Sequence, residues 1–400
     1  MTLVASLLSA CSPVKFGAGR GRGVQDIDSP EKRLVYMSDM LDEICVELGP
    51  RPVGSKDYMK SAEIIRREFA RACPVAELDY FTFDRWVLKN SPLLSVGGRS
   101  LENYPSHGTS GTPSEGISGI LLKTPDDQTQ YSIIDAESSA LLGYIAAKYD
   151  LAVPLPYYSY DMEVGCPPVF NVGKNDIPLL DTAARDKSPV IAKSHVEFIP
   201  NVRTANVFAT IPGESDEEIL VIGHLDTVYN TVGANDNTAS VIIMLMLAHD
   251  LFGVKPKRTV TFLATDGEEY NKLGAINYAD RRKREGTSGR IKYLINFDSL
   301  TWGNDLQISS RDKDLRELVG AIDSDLGTAG TAKLIDGDGF ALDGRPFRSP
   351  KIRAMYVNSR GYDTVNVWHR PEDTPDSVPM DTIETGFPVF RECIKRMMTL

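Results

Sequence analysis

Apolar residues recur at helical spacing near the start of the chain and in uninterrupted blocks later, and this change of pattern divides it. Leu34, Met37, Leu41 and Ile44 share one side of a helix predicted over 30–46. Ser29 caps it, and Pro30 suits its first turn. A turn at Gly49-Pro50-Arg51-Pro52 leads to a second helix over 56–72, capped by Ser55 and stopped before Pro74. Residues 76–196 read differently. They are rich in Pro, Gly, Ser and Tyr and carry short strand-like runs such as Phe81-Thr82-Phe83, Gly119-Ile120-Leu121-Leu122 and Pro189-Val190-Ile191-Ala192. One helix is expected there, over 136–149.

From about residue 206 wholly apolar strands alternate with helices. The strands are Asn206-Val207-Phe208-Ala209, Ile219-Leu220-Val221-Ile222, Thr259-Val260-Thr261-Phe262-Leu263, Tyr293-Leu294-Ile295-Asn296-Phe297 and Ala354-Met355-Tyr356-Val357. Helices are predicted over 238–251, 273–284 and 381–398. The first is apolar on all sides and so should be buried. This alternation predicts an α/β fold with a mixed, mostly parallel central sheet flanked by helices. Residues 29–75 and 197–400 form that domain, 76–196 an inserted, mostly β module, and 1–28 a flexible tail.

Composition narrows the function classes. The 400 residues carry 44 basic and 55 acidic side chains, a net charge of −11, which argues against nucleic acid as partner. Five cysteines without a Cys-x-x-Cys pair argue against a disulfide scaffold and a cysteine zinc site. Cys45, Cys73, Cys166 and Cys393 read as buried small hydrophobes. Five histidines limit any imidazole chemistry to His107, His195, His224, His249 and His369.

Chemistry-bearing residues follow the apolar strands, where open α/β sheets place their sites. His224-Leu225-Asp226 follows one, Asp266-Gly267-Glu268-Glu269 the next, and Asp298 a third. Gly233-Ala234-Asn235-Asp236-Asn237 precedes the buried helix, and His369 lies in a late loop ending Asp373-Thr374-Pro375-Asp376. Each fragment alone has a structural reading as a cap, turn or solvated face. Together they give two imidazoles and several carboxylates at one sheet edge, a donor set that suits two zinc ions, with cobalt or manganese as substitutes. Asp236 would bridge, His224 and Asp298 would complete one metal, and Glu269 and His369 the other. Asp226 would orient His224, and Glu268 would be free as general base. His249 reads as bonding terminal helix carbonyls. His107 and His195 read as incidental, and Glu217-Glu218 and Arg281-Arg282-Lys283-Arg284 as solvated faces.

These motifs resemble the di-zinc exopeptidase family that includes bacterial leucyl aminopeptidase, aminopeptidase Y and glutamate carboxypeptidase II. The matching pieces are Gly223-His224-Leu225-Asp226-Thr227, 233–237, Asp266-Gly267-Glu268-Glu269, Asn296-Phe297-Asp298, and His369 with 373–376. Gly49-Pro50-Arg51-Pro52-Val53-Gly54-Ser55 is similar to the segment leading into the family's first catalytic-domain helix. The resemblance implies a zinc-exopeptidase-like fold and metal ligands at His224, Asp236, Glu269, Asp298 and His369. It also implies a general base at Glu268, an orienting carboxylate at Asp226 and a cis peptide after Asp236. Its reaction would be hydrolysis of N-terminal residues from a peptide by a hydroxide held between two metals. The insertion stands where many members carry a protease-associated domain, although its sequence matches that domain poorly. The family's Ser-Asp-His-x-x-Phe segment has its equivalent at Gly337-Asp338-Gly339-Phe340.

Alternatives remain within this class of fold. A carboxypeptidase acting on C-terminal or dipeptide substrates fits the same residues. A glutaminyl-cyclase-like enzyme would need one zinc, and a non-enzymatic relative would have lost ligands. A related family with a Gly-His-x-Asp-Thr-Val start needs a lid between its last carboxylate and the final histidine, for which the span from Asp298 to His369 is too short. No stretch reaches the ~20 apolar residues of a membrane helix. Leu8-Ser9-Ala10-Cys11 is similar to a lipoprotein cleavage site but lacks a basic stretch before it. The chain therefore reads as cytoplasmic, with an exported lipoprotein anchored at Cys11 as the alternative.

Overall fold

The computed structural model describes residues 27–124, 129–147, 151–156, 165–300, 306–328, 332–338, 342–358 and 367–399. The cysteine motif at Cys11 and the glycine-rich run that follows it lie outside them. Helix α1 (Pro30–Leu41) is capped by the Ser29 hydroxyl and continues as a π-helical turn, Asp42–Val46. Helix α2 (Lys56–Ala72) is capped by Ser55, which accepts from the Tyr58 N–H. A 14-residue strand β1 (Val75–Leu88) follows.

Seven α-helices and sixteen strands are present among the described residues. The insertion contributes β2 (Leu93–Val96), β3 (Arg99–Ser100), β4 (Tyr104–Pro105), β5 (Ile117–Lys123), β6 (Gln130–Ile134), β7 (Leu141–Ala146), β8 (Val169–Asn171), α3 (Ile177–Asp186) and β9 (Pro189–Lys193). The strands form one sheet, ordered β3-β2-β9-β5-β6-β7-β8-β4, with its own core around Leu121, Tyr131, Ile145 and Phe170. Within the helix expected over 136–149, residues 141–146 form strand β7, and 148–149 lie outside the described residues. Gly143 breaks helical propensity, and β6 and β8 pair with the segment on both sides. The module's helix is α3, which begins with a proline in its first turn.

The chain then enters β10 (Val196–Ile211), β11 (Ser215–His224), α4 (Ala239–Asp250), β12 (Arg258–Thr265), α5 (Leu273–Arg284), β13 (Ile291–Phe297), β14 (Leu306–Ser310), α6 (Lys313–Asp325), β15 (Ala332–Asp336), β16 (Arg353–Asn358) and α7 (Met380–Thr399). With β1 these strands form the mixed central sheet, ordered β1-β10-β12-β11-β13-β16-β14-β15. Its middle strands β12, β11, β13 and β16 run parallel, so their C-terminal ends share one edge. Helix α4 is buried on all sides, as its apolar sequence requires. Its core includes Met37, Phe69, Ile242, Phe262, Phe297 and Phe390.

Two charged segments depart from the solvated-face reading. Arg282 on α5 and Glu218 on β11 are buried, paired through both guanidinium amino groups at 3.1 and 2.5 Å. Helix α5 lays this turn against the sheet edge, and the bidentate geometry compensates both charges. His249 also differs. Its ring nitrogens make no hydrogen bond among the described residues, and it meets the Tyr36 ring edge-on at 5.8 Å. Cys166 is only half-buried, while Cys45, Cys73 and Cys393 are buried. Among the described residues, no helix is long and apolar enough to cross a membrane.

Candidate metal centre and active site

Three adjacent parallel strands deliver side chains to one edge. His224 is the last residue of β11 and pairs with Thr265 at the end of β12, so Asp266 to Glu269 emerge beside it. Asp298 directly follows β13, on the other side of β11. The loop before α4 brings in Asp236, and the turn at 367–370 brings in His369. The two oxygens of Asp236 face different histidines. Oδ1 lies 3.2 Å from His224 Nε2, and Oδ2 lies 3.5 Å from His369 Nε2. Asp298 is 3.6 Å from the first imidazole, and Glu269 is 3.1 Å from the second. The donor atoms form the triads His224–Asp236–Asp298 and Asp236–Glu269–His369, each within 4.8 Å, and Glu268 lies in a third group with His224 and Glu269. All six residues are buried.

The loop carrying Asp236 is held from several directions. Asp373 accepts the N–H groups of Asn235 at 2.8 Å and Asp236 at 3.0 Å, along with the Asn235 side-chain amide. The Asn237 amide spans to the Phe297 carbonyl and the Ser299 N–H at the end of β13. The Asp236–Asn237 peptide is cis. Gly233 has φ +57°, and a β-carbon there would lie 2.4 Å from the Asp236 carbonyl oxygen. Below the loop, the fully buried Arg51 donates to the carbonyls of Ile44, Gly49 and Val232 and to the Thr238 hydroxyl. That places the Gly49–Ser55 motif structurally: it underpins the Asp236 loop.

Asp226 faces His224, as expected, and supports the site in a second way. Its carboxylate accepts the N–H groups of Glu268 and Glu269 at 3.1 and 3.3 Å, fixing the strand end that carries both. The His224 Nδ1 lies 3.6 Å from that carboxylate and 3.1 Å from the Asp226 backbone carbonyl.

Burial raises Glu268 to about 8, although the Lys272 ammonium lies 3.6 Å away. Burial also raises Glu269. For His369 burial opposes the charge, but Glu269 and Asp236 outweigh it and lift the imidazole to about 10. His224 is raised for the same reason by Asp226, Asp236 and Asp298. Asp236 goes the other way: burial opposes its charge, but the two imidazoles hold it low.

Three further residues line the site, one of them a histidine that the sequence presents as incidental. His107 reaches in from the inserted module, buried against Trp86, Tyr229 and Tyr270 and bonded to the Glu269 backbone. Burial lowers it to about 3, so it is neutral. Lys272 is held in a left-handed conformation (φ +60°) beside Glu268. Asp343 is fully buried, hydrogen-bonded to Thr265, and raised by burial to about 7. Asp338 instead pairs with Arg311 and Arg348. The Asp343-Gly344-Arg345-Pro346-Phe347 run also keeps the Asp-to-Phe spacing of the Ser-Asp-His-x-x-Phe segment, whereas Gly339 and Phe340 of the 337–340 run lie outside the described residues.

The family model described as Peptidase family M28 matches residues 206–393. This unit belongs to peptidase family M28. The M28 unit covers every residue of both triads. The chain is 31% identical over 124 residues to the alkaline phosphatase isozyme conversion protein of Escherichia coli, covering 28% of this chain and 36% of that protein. It is 24% identical over 236 residues to carboxypeptidase Q of Xenopus laevis, covering 49% and 50%. The match thus spans half or less of these curated relatives. The solved structure of BSAP, a zinc aminopeptidase from Bacillus subtilis, shares the fold with a TM-score of 0.71 at 19% identity, covering 91% of this chain and 95% of that one.

Proposed function

We propose that the chain is a zinc-dependent exopeptidase that removes N-terminal residues from peptides. The observation that carries this reading is Asp236, whose two oxygens address two separate histidine–carboxylate triads. The site's charge supports it as well. Four buried carboxylates (Asp236, Glu268, Glu269 and Asp298) converge there with two imidazoles, a concentration of ionisable groups that burial makes costly unless they hold a cation. Oxygen and imidazole donors of this kind fit divalent zinc. His224, Asp236 and Asp298 would hold one ion, and Asp236, Glu269 and His369 the other. Bound there, the ions supply Lewis acidity and lower the pKa of an attacking water.

The chain's own groups do the rest. Glu268 accepts a proton from the attacking water and returns it to the leaving amine. Burial among other carboxylates makes it a stronger base than a solvated glutamate. Asp226 holds the backbone that aims Glu268 and Glu269. Similarity to BSAP, a zinc aminopeptidase, supports the N-terminal direction. The buried Lys272 ammonium beside Glu268 favours a second reading, in which a substrate carboxylate is bound and C-terminal residues are removed. A screen of aminoacyl-nitroanilides and C-terminally free dipeptides, with chelator and with zinc restored, separates them. Chelator-sensitive release from the nitroanilides is expected. Cleavage of only the dipeptides would reverse the direction, and activity insensitive to chelator would overturn the metal reading.

A further inference from the structure

His369 carries one triad, yet the group that fixes its ring comes from the inserted module. Its Nδ1 lies 2.8 Å from the backbone carbonyl of Pro156, 213 residues away in the chain, while Nε2 faces Asp236 and Glu269. Facing a carbonyl, which can only accept, Nδ1 carries a hydrogen, so the proton that a metal would displace is the one on Nε2. The next residue repeats the connection. Arg370 donates to the Pro154 carbonyl at 2.8 Å and lies 3.4 Å from Glu102, both in the insertion. From the other side Asn230 donates to the His369 carbonyl at 3.0 Å. Buried His369 has φ +57°, a conformation that needs such support in a residue other than glycine.

Pro154, Leu155 and Pro156 lie between β7 and β8 of the second sheet. Two prolines restrict φ, and Leu155 is buried, so the two carbonyls are presented from stiff backbone. The module is anchored nearby by further bonds. Tyr229 donates to the Pro105 carbonyl at 2.8 Å, and Trp86, which lies within 76–196 but on strand β1 of the central sheet, donates to the Thr109 carbonyl at 2.8 Å. His224 needs none of this, because its Nδ1 meets the carbonyl of Asp226, two residues along the same strand end.

We propose that the Pro154–Pro156 segment of the inserted module is a structural part of the Asp236–Glu269–His369 metal site, and that Arg370 is the positioning residue that registers it there. The inference rests on the two-metal reading above. It makes the module responsible for one ion and indifferent to the other.

The test is a titration of the metal-free full chain with cobalt(II), followed by its visible absorption, for wild type, Arg370→Met, Arg370→Lys and Pro156→Gly. Wild type should fill two sites. Arg370→Met should weaken one site about 10–100-fold, the usual consequence of losing a group that orients a ligand, and leave the other unchanged. Arg370→Lys keeps a donor and should recover most of the loss. Pro156→Gly leaves every side chain of the central sheet in place and should reproduce the one-sided loss, which covers the case where Arg370→Met does not fold. Two unchanged sites, or equal weakening of both, in a folded variant would overturn the proposal. A wild type that fails to take two ions would instead overturn the two-metal reading, and it is seen without any variant.

Discussion

The two triads share Asp236 and differ in what supports them. His224 and Asp298 sit at the ends of neighbouring strands β11 and β13, and backbone two residues away orients the imidazole. Glu269 also follows a central strand, but His369 lies on a loop braced by a different sheet. The donor chemistry is nearly the same in each: one imidazole, one shared carboxylate and one private carboxylate. What differs is the sequence distance over which the support is assembled. A strand end fixes a ligand locally once the sheet forms. A loop ligand needs partners from elsewhere, so its geometry depends on the whole chain being docked.

Three experiments probe that contrast. Glu268 lies in reach of both halves, and its change should have the largest effect. Glu268→Gln keeps size and removes the base, so kcat should fall by about 10²–10⁴ while both metal sites fill as before. Loss of one ion in this variant would show that Glu268 is a ligand of one triad and not a shared base. Arg51→Met comes next. It leaves the carbonyls of Ile44, Gly49 and Val232 without their donor, and denaturant unfolding should show about 3 kcal/mol of destabilisation. Because Arg51 underpins the Asp236 loop, both triads should lose metal affinity together, unlike the one-sided effect expected at Arg370.

The smallest effect lies at the far end of α4 from Asp236. Burial lowers His249 to about 4 against an ordinary value near 6.5, so the folded state keeps it neutral. Its stability contribution is complete above about pH 6.5. It is lost as pH falls toward 4, because the unfolded chain binds the proton first. Between pH 7.5 and pH 5 this one group should account for about 2 kcal/mol of lost stability. His249→Leu should flatten the stability–pH curve by that amount and leave metal affinity at both triads unchanged. A shift in either affinity would mean that α4 transmits packing changes to its N-terminal loop.

The same contrast explains what could be read from the sequence. Strand ends were legible: His224, Glu268, Glu269 and Asp298 each follow an apolar block that only a buried strand explains. Two helices are legible down to their boundaries, α2 from its Ser55 cap and α5 from the Gly286 beyond its end. The module was harder, because short half-buried strands carry weak periodicity. The Ala- and Leu-containing stretch 136–149 therefore reads as a helix, although Gly143 argues otherwise. The Pro156 carbonyl had no signature at all, since any residue carries a backbone acceptor. His107 was passed over because a histidine among serines and glycines resembles a loop residue; its aromatic cage of Trp86, Tyr229 and Tyr270 exists only in three dimensions. Asp343 was legible in principle, from its spacing to Phe347. Arg282 and Glu218 sit in charged runs whose neighbours are solvated, and only the contact between α5 and β11 singles them out.

Anomalous diffraction at the zinc edge, from crystals of the full chain grown with zinc, addresses the central claim most directly. Two peaks are predicted, both in contact with Asp236, one also touching His224 and Asp298 and the other Glu269 and His369. A single peak, or a second one held by residues outside these five, would contradict the account.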